Sequence, residues 1–150
     1  MGKCPFGLCP NVSDWTNGGA GNDTYVLKRA YGASTITDSD STTGNTDILS
    51  LGSGIARDQL WFAQSGSDLV ASVIGANAKM TIKNWYTSAN NQIEKFTTAD
   101  DYVLNPTGVQ KLVQAMASYA NAHAGFDPTA VAAAPSDPTL QGQIAASWHA

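Results

Sequence analysis

The sequence predicts a mainly β chain that ends in one or two helices, and three observations carry that expectation. Of twelve acidic residues, eleven are Asp and one, Glu94, is Glu; helical surfaces use Glu freely, whereas turns and hard-cation sites use Asp. Fourteen glycines accompany those aspartates, as expected of turns joining short strands. Apolar residues alternate over short runs in the middle of the chain and switch to helical spacing only in its last third.

A chain of 150 residues allows one domain, or two very small ones. With 43% hydrophobic and 13% charged residues, it can build a core and is not expected to be disordered throughout. The net charge is -4 and the Lys and Arg residues are scattered singly, apart from Lys28-Arg29. A phosphate-tracking surface is excluded, so no nucleic-acid partner is expected. No apolar stretch approaches the roughly 18 residues of a membrane span, so no membrane insertion is expected. The first ten residues lack the apolar run of a cleaved secretory signal, and Phe6 stands where myristoylation needs Ser or Thr. Cys4 and Cys9 bracket a Pro-Phe-Gly-Leu turn. They can close a local disulfide, bridge two chains or remain thiols, and no zinc set surrounds them, since His123 and His149 are distant in sequence.

Along the chain, residues 1–17 read as a Cys-containing arm. Residues 18–54 are rich in Gly, Asp, Ser and Thr, with β-branched interludes at Thr24-Tyr25-Val26 and Ser34-Thr35-Ile36-Thr37. Residues 55–105 read as a small antiparallel meander: Gln59–Ala63, then Asp68–Ile74, the hairpin loop Gly75-Ala76-Asn77-Ala78, Lys79–Lys83, Gln92–Thr97 and Tyr102–Leu104. In residues 106–150, Val109, Leu112, Val113, Met116 and Ala117 form one stripe of a helix beginning after Pro106. A loop rich in Ala and Pro follows. Asp137-Pro138 then supplies the cap and first position of a short helix carrying Leu140, Ile144 and Trp148 on one face.

The segment that points to chemistry is Gly18-Gly19-Ala20-Gly21-Asn22-Asp23-Thr24-Tyr25-Val26, which fits G-G-x-G-x-D-x-U-x throughout, U being a large apolar residue. Glycines allow a turn whose carbonyls point inward, and Asp23 sets a carboxylate beside them. Such an oxygen-rich bend is half of a hard-cation site suited to calcium. Gly19, Gly21, Asn22 and Asp23 are its candidate ligands. A second coil must complete it, and Asp38, Asp40 and Asp47 are candidates downstream; Asp14, nine residues before Asp23, is in register upstream. Without a cation these carboxylates repel one another, so loading and folding are expected to be coupled.

From Gly18 onward the chain resembles the C-terminal end of RTX (haemolysin-type calcium-binding) proteins. The nonapeptide is one intact copy of that family's repeat. Gly44–Ile55 resembles the segment after the repeats, and Asp58–Val70, Ile82–Tyr86, Ile93-Glu94 and Phe96 resemble the haemolysin-type-related domain. The tail ending Ala145-Ala146-Ser147-Trp148-His149 is similar to the uncleaved address read by type I secretion. The resemblance implies a right-handed, calcium-binding parallel β-roll packed on the meander, and export by a type I secretion apparatus to the cell exterior. The chain departs from the family in having a single intact repeat and, in place of a toxin, protease or lipase domain, the Cys-containing arm.

Trp61, Trp85 and Tyr86 are expected as core or sheet-face residues rather than a sugar platform, and His123 and His149 as surface residues. Asn11-Val12-Ser13 and Asn22-Asp23-Thr24 match glycosylation acceptors, the second in conflict with a metal. No hydrolase, P-loop or dinucleotide fingerprint is present, so no catalysis is expected. The leading expectation is a non-enzymatic extracellular structural protein that folds on calcium and self-associates, in the extreme as filaments, because a lone repeat coil must find neighbours. The alternatives are a C-terminal folding and secretion module of a larger toxin or hydrolase, and a calcium-dependent adhesin.

Overall fold

The computed structural model describes residues 15–17 (backbone only), 21–29, 32–37 and 44–149. Its strands are β1 (Trp15–Asn17), β2 (Thr24–Leu27), β3 (Ala33–Thr37), β4 (Ile48–Leu51), β5 (Leu60–Ser65), β6 (Asp68–Val73), β7 (Lys79–Ile82), β8 (Lys95–Thr97) and β9 (Val103–Leu104); its helices are α1 (Pro106–Ala122) and α2 (Pro138–Ser147). The chain is mainly β with two C-terminal helices, as the sequence predicts.

Two sheets form, in the orders β1-β3-β7-β6-β5 and β2-β4-β8-β9. The first four strands alternate between them; β1, β3 and β7 are parallel in one sheet, and β2, β4 and β8 are parallel in the other. The antiparallel part expected of residues 55–105 is present as β5-β6-β7 and β8-β9. It differs from a separate meander in one respect. β7 and β8 also pair in parallel with β3 and β4, so the same two sheets run through the expected junction after residue 54. Local alternation reveals such strands but not these distant partners.

Register stacks like on like. Tyr25, Leu49 and Phe96 are neighbours across β2, β4 and β8, with Leu104 next on β9, and all four are buried. Ile36, Ile82 and Leu69 form the corresponding apolar row in the other sheet. The two sheets meet in the core, where the rings of Phe62 on β5 and Phe96 on β8 lie edge to face at 5.6 Å. Tight joints close the core. Gly75 has φ +77, and a Cβ on it would come within 2.8 Å of the Val131 carbonyl, so only glycine fits that hairpin corner.

The helices close one end of both sheets. Asn105 caps α1 by accepting the Gly108 N–H at 2.8 Å, and Asp137 caps α2 by accepting that of Leu140 at 2.9 Å. Val109, Leu112, Val113 and Met116 bury one face of α1, and the Met116 sulfur accepts the Phe62 N–H of β5 at 3.1 Å. Trp61 on β5 is enclosed by Tyr119 and Phe126, at ring distances of 6.0 and 4.7 Å. At the edge of the other sheet, His149 exchanges backbone hydrogen bonds of 2.6 and 2.8 Å with Val103. That pairing gives β9 a partner where an open edge would stand. No helix among the described residues is long and apolar enough to cross a membrane.

Candidate metal centre

The chain enters β2, β4 and β8 in the same way each time, through an acidic residue one position before the strand: Asp23, Asp47 and Glu94. The parallel register that pairs Thr24 with Ile48 and Ile48 with Lys95 places the three acids side by side. They are joined by a chain of hydrogen bonds. The Asp23 N–H donates to Asp47 Oδ1 at 2.8 Å, and the Asp47 N–H donates to Glu94 Oε2 at 2.7 Å. Asp47 and Glu94 thus each accept the amide of the coil before, a charge-assisted bond about twice as strong as a neutral one.

Amide side chains reinforce the row. Asn22 Oδ1 accepts the Thr46 N–H at 2.8 Å, and Asn45 Nδ2 donates to Asp47 Oδ2 at 3.2 Å. Two bonds in opposite senses therefore clasp 22–23 to 46–47. Asp23 and Asp47 are 3% and 1% exposed, and burial at that level requires a carboxylate to be paired or hydrogen-bonded. Gly21 precedes them with φ +101 and open space around it, so its glycine serves the backbone turn and not a close approach.

Of the residues expected to hold calcium, Gly21, Asn22, Asp23 and Asp47 are brought together. Gly19, Asp14, Asp38 and Asp40 lie outside the described residues, as do Cys4 and Cys9. The donors gathered here are carboxylate and carboxamide oxygens, with no thiolate or imidazole among the described residues, which suits a hard cation in kind. In number they fall short: among the described residues no three His, Cys, Asp or Glu side chains form a group that could hold an ion. Asp23, Asp47 and Glu94 are a row, and a full coordination shell draws on further oxygens.

Glu94 and Asn45 join this row through their hydrogen bonds to Asp47, and the sequence reading did not name them as site residues. A signal exists, in that Asp23-Thr24-Tyr25, Asp47-Ile48-Leu49 and Glu94-Lys95-Phe96 share the pattern acid, any residue, large apolar residue. Elsewhere, Trp61 and Trp85 are 5% and 2% exposed and belong to the core. Tyr86 is half-buried, its enclosed hydroxyl lacks a hydrogen-bond partner, and burial pushes the phenol above its usual range. These rings form no exposed platform. His123 is exposed and stacks on Tyr119 at 3.9 Å.

The chain is 29% identical over 94 residues to the iron-regulated protein FrpA of Neisseria meningitidis serogroup C, an alignment covering 61% of this chain and 8% of that protein. Residues 68–107, from β6 through Glu94 to the first turn of α1, match the model of a family whose description implies calcium binding. That family is described as the haemolysin-type calcium binding protein related domain, and over those residues the chain is similar to it.

Proposed function

We propose that this chain is a non-enzymatic, extracellular calcium-binding module of the RTX type that folds as calcium enters the turn before Asp23, after export by type I secretion. One observation supports it above the others: Asp23 and Asp47, buried and joined across parallel strands, stand beside a Gly-Asn-Asp turn with left-handed backbone at Gly21. Oxygens from Gly19, Asp14, Asp38 and Asp40 complete the shell in this reading. Extracellular modules of this kind bind calcium at about 10⁻⁴–10⁻³ M, above resting cytosolic levels, so the turn stays loose inside the cell and closes outside it.

The role is structural. The expected self-association uses the β1–β2 side, since those are the terminal strands of their sheets among the described residues. The other end is closed by α1 and by the Val103–His149 pairing. Stacking through one end pairs two copies, or joins this roll to upstream coils of a longer protein, more readily than it builds an open filament, which needs two complementary surfaces. The 8% coverage of the longer relative favours the second reading, a C-terminal folding module.

Far-UV circular dichroism during a calcium titration tests the proposal. The wild-type chain gains β signal through the submillimolar range, and Asp23→Ala moves the transition to at least tenfold higher calcium, roughly the loss of one charged ligand. A wild-type spectrum unchanged by millimolar calcium refutes it. Light scattering at saturating calcium separates the structural readings, a monomer favouring the terminal module and a dimer favouring paired rolls.

A further inference from the structure

We infer that Glu94 is a positioning residue for the Asp23 turn, acting through Asp47, so that the matched domain sets the geometry of a cation site lying outside it. The inference rests on the calcium reading proposed above.

Glu94 is linked to the Gly21–Asp23 turn through Asp47. Its Oε2 takes the Asp47 N–H at 2.7 Å, across 47 residues of sequence. That bond fixes the backbone from which the Asp47 side chain projects. Asp47 Oδ1 in turn takes the Asp23 N–H at 2.8 Å, while Asn45 holds Oδ2 at 3.2 Å. With Asp47 1% exposed, water cannot readily replace a lost partner. The rotation of a carboxylate that serves the candidate turn is therefore set by an acid one position before β8, the third parallel strand of that sheet. Partners of this kind orient the groups that touch a metal, and removing one typically weakens binding by roughly 10–100-fold.

Calcium midpoints of the full chain, read by tryptophan fluorescence, test the relay with Glu94→Gln, Glu94→Ala and Asn45→Ala beside wild type. Glu94→Ala raises the midpoint about tenfold. Glu94→Gln keeps an amide oxygen for the Asp47 N–H and stays within about threefold of wild type, since a neutral acceptor is weaker but present. Equal damage by Gln and Ala would make Glu94 a ligand and overturn the positioning role. A melting temperature lowered alike in calcium and in chelator, with an unmoved midpoint, would make it merely structural and overturn it too. Should Glu94→Ala not fold in saturating calcium, Asn45→Ala removes the other hold on Asp47 and raises the midpoint about threefold; no change there also overturns the relay. A wild-type chain silent to calcium fails the proposed function and this inference together, whereas a responsive wild type with unshifted variants fails the inference alone.

Discussion

The turn side of the β2-β4-β8 sheet and the closed end of the molecule are held by opposite physics. On the turn side, side-chain oxygens of Asn22, Asp47 and Glu94 take backbone amides from neighbouring coils. At the closed end, Leu112, Val113, Met116, Leu140 and Ile144 are buried, and the sheet edges are finished by a helix and by backbone pairing. Hydrophobic burial needs no ion and does not depend on protonation. In the reading proposed above, the closed end is unconditional and the turn side is conditional on calcium.

The largest effect should come where the two regions share a residue. Phe96 follows Glu94 by two positions, stacks in register with Leu49 and Leu104, and meets Phe62 at 5.6 Å and Trp85 at 6.0 Å. Phe96→Ala should cost about 3–5 kcal/mol, the usual range for emptying a buried aromatic site. Urea unfolding in saturating calcium measures it. If turn side and closed end form one cooperative unit, the variant loses stability in a single transition; two separated transitions would mean that the regions unfold independently.

Arg29 ties the first coil to the middle of the chain. Its guanidinium donates to the Gly54 carbonyl at 3.2 and 3.1 Å, to the Ile74 carbonyl at 2.8 Å and to Gln59 Oε1 at 2.9 Å. Lysine cannot reproduce that fork. Arg29→Lys and Arg29→Ala should therefore both lose about 1.5–3 kcal/mol, the range for hydrogen bonds to a charged group. The loss should be equal with calcium and with chelator, because none of these partners belongs to the carboxylate row. A loss confined to the calcium-loaded chain would place Arg29 on the conditional side.

How much of this was legible in sequence follows from the range of each signal. Alternation in Asp68–Ile74 marks a strand, and the structure buries Leu69, Ala71 and Val73 on one face of β6; Asn105-Pro106 and Asp137-Pro138 start helices through bonds spanning three residues. These are local rules. The parallel pairing of β8 with β4 joins residues 47 apart and leaves no periodic trace, so residues 92–97 were legible as a strand but not as part of the roll. The strand itself begins only at Lys95, after a 3-10 turn at Ala89–Asn91. Asp23 and Asp47 were legible because glycine-rich turns precede them. Glu94 was hidden by having Gln92-Ile93 before it, and only its register against Asp47 gives it a role.

The smallest expected effect concerns a carboxylate away from the row. Asp68, at the start of β6, accepts from Lys83 Nζ and from the Asn84 N–H, both at 2.8 Å. The hydrogen bond from Lys83, aided by that from Asn84, holds its carboxyl below the usual range. A depressed carboxylate contributes stability above its unfolded value, about 3.9, and that contribution is lost as pH falls through the lower folded value. The pair is partly exposed, at 18% for Asp68 and 44% for Lys83, so screening limits it to roughly 0–1 kcal/mol. Asp68→Asn, compared with wild type by urea unfolding in chelator, should be less stable by that amount at neutral pH. The gap should narrow as pH drops below about 4, where Asp68 of the unfolded chain takes up its proton, and close once pH has fallen through the lower folded value. Because Asp68 stands apart from Asp23, Asp47 and Glu94, the calcium midpoint of Asp68→Asn should match wild type; a shifted midpoint would extend the conditional region into the β6–β7 hairpin.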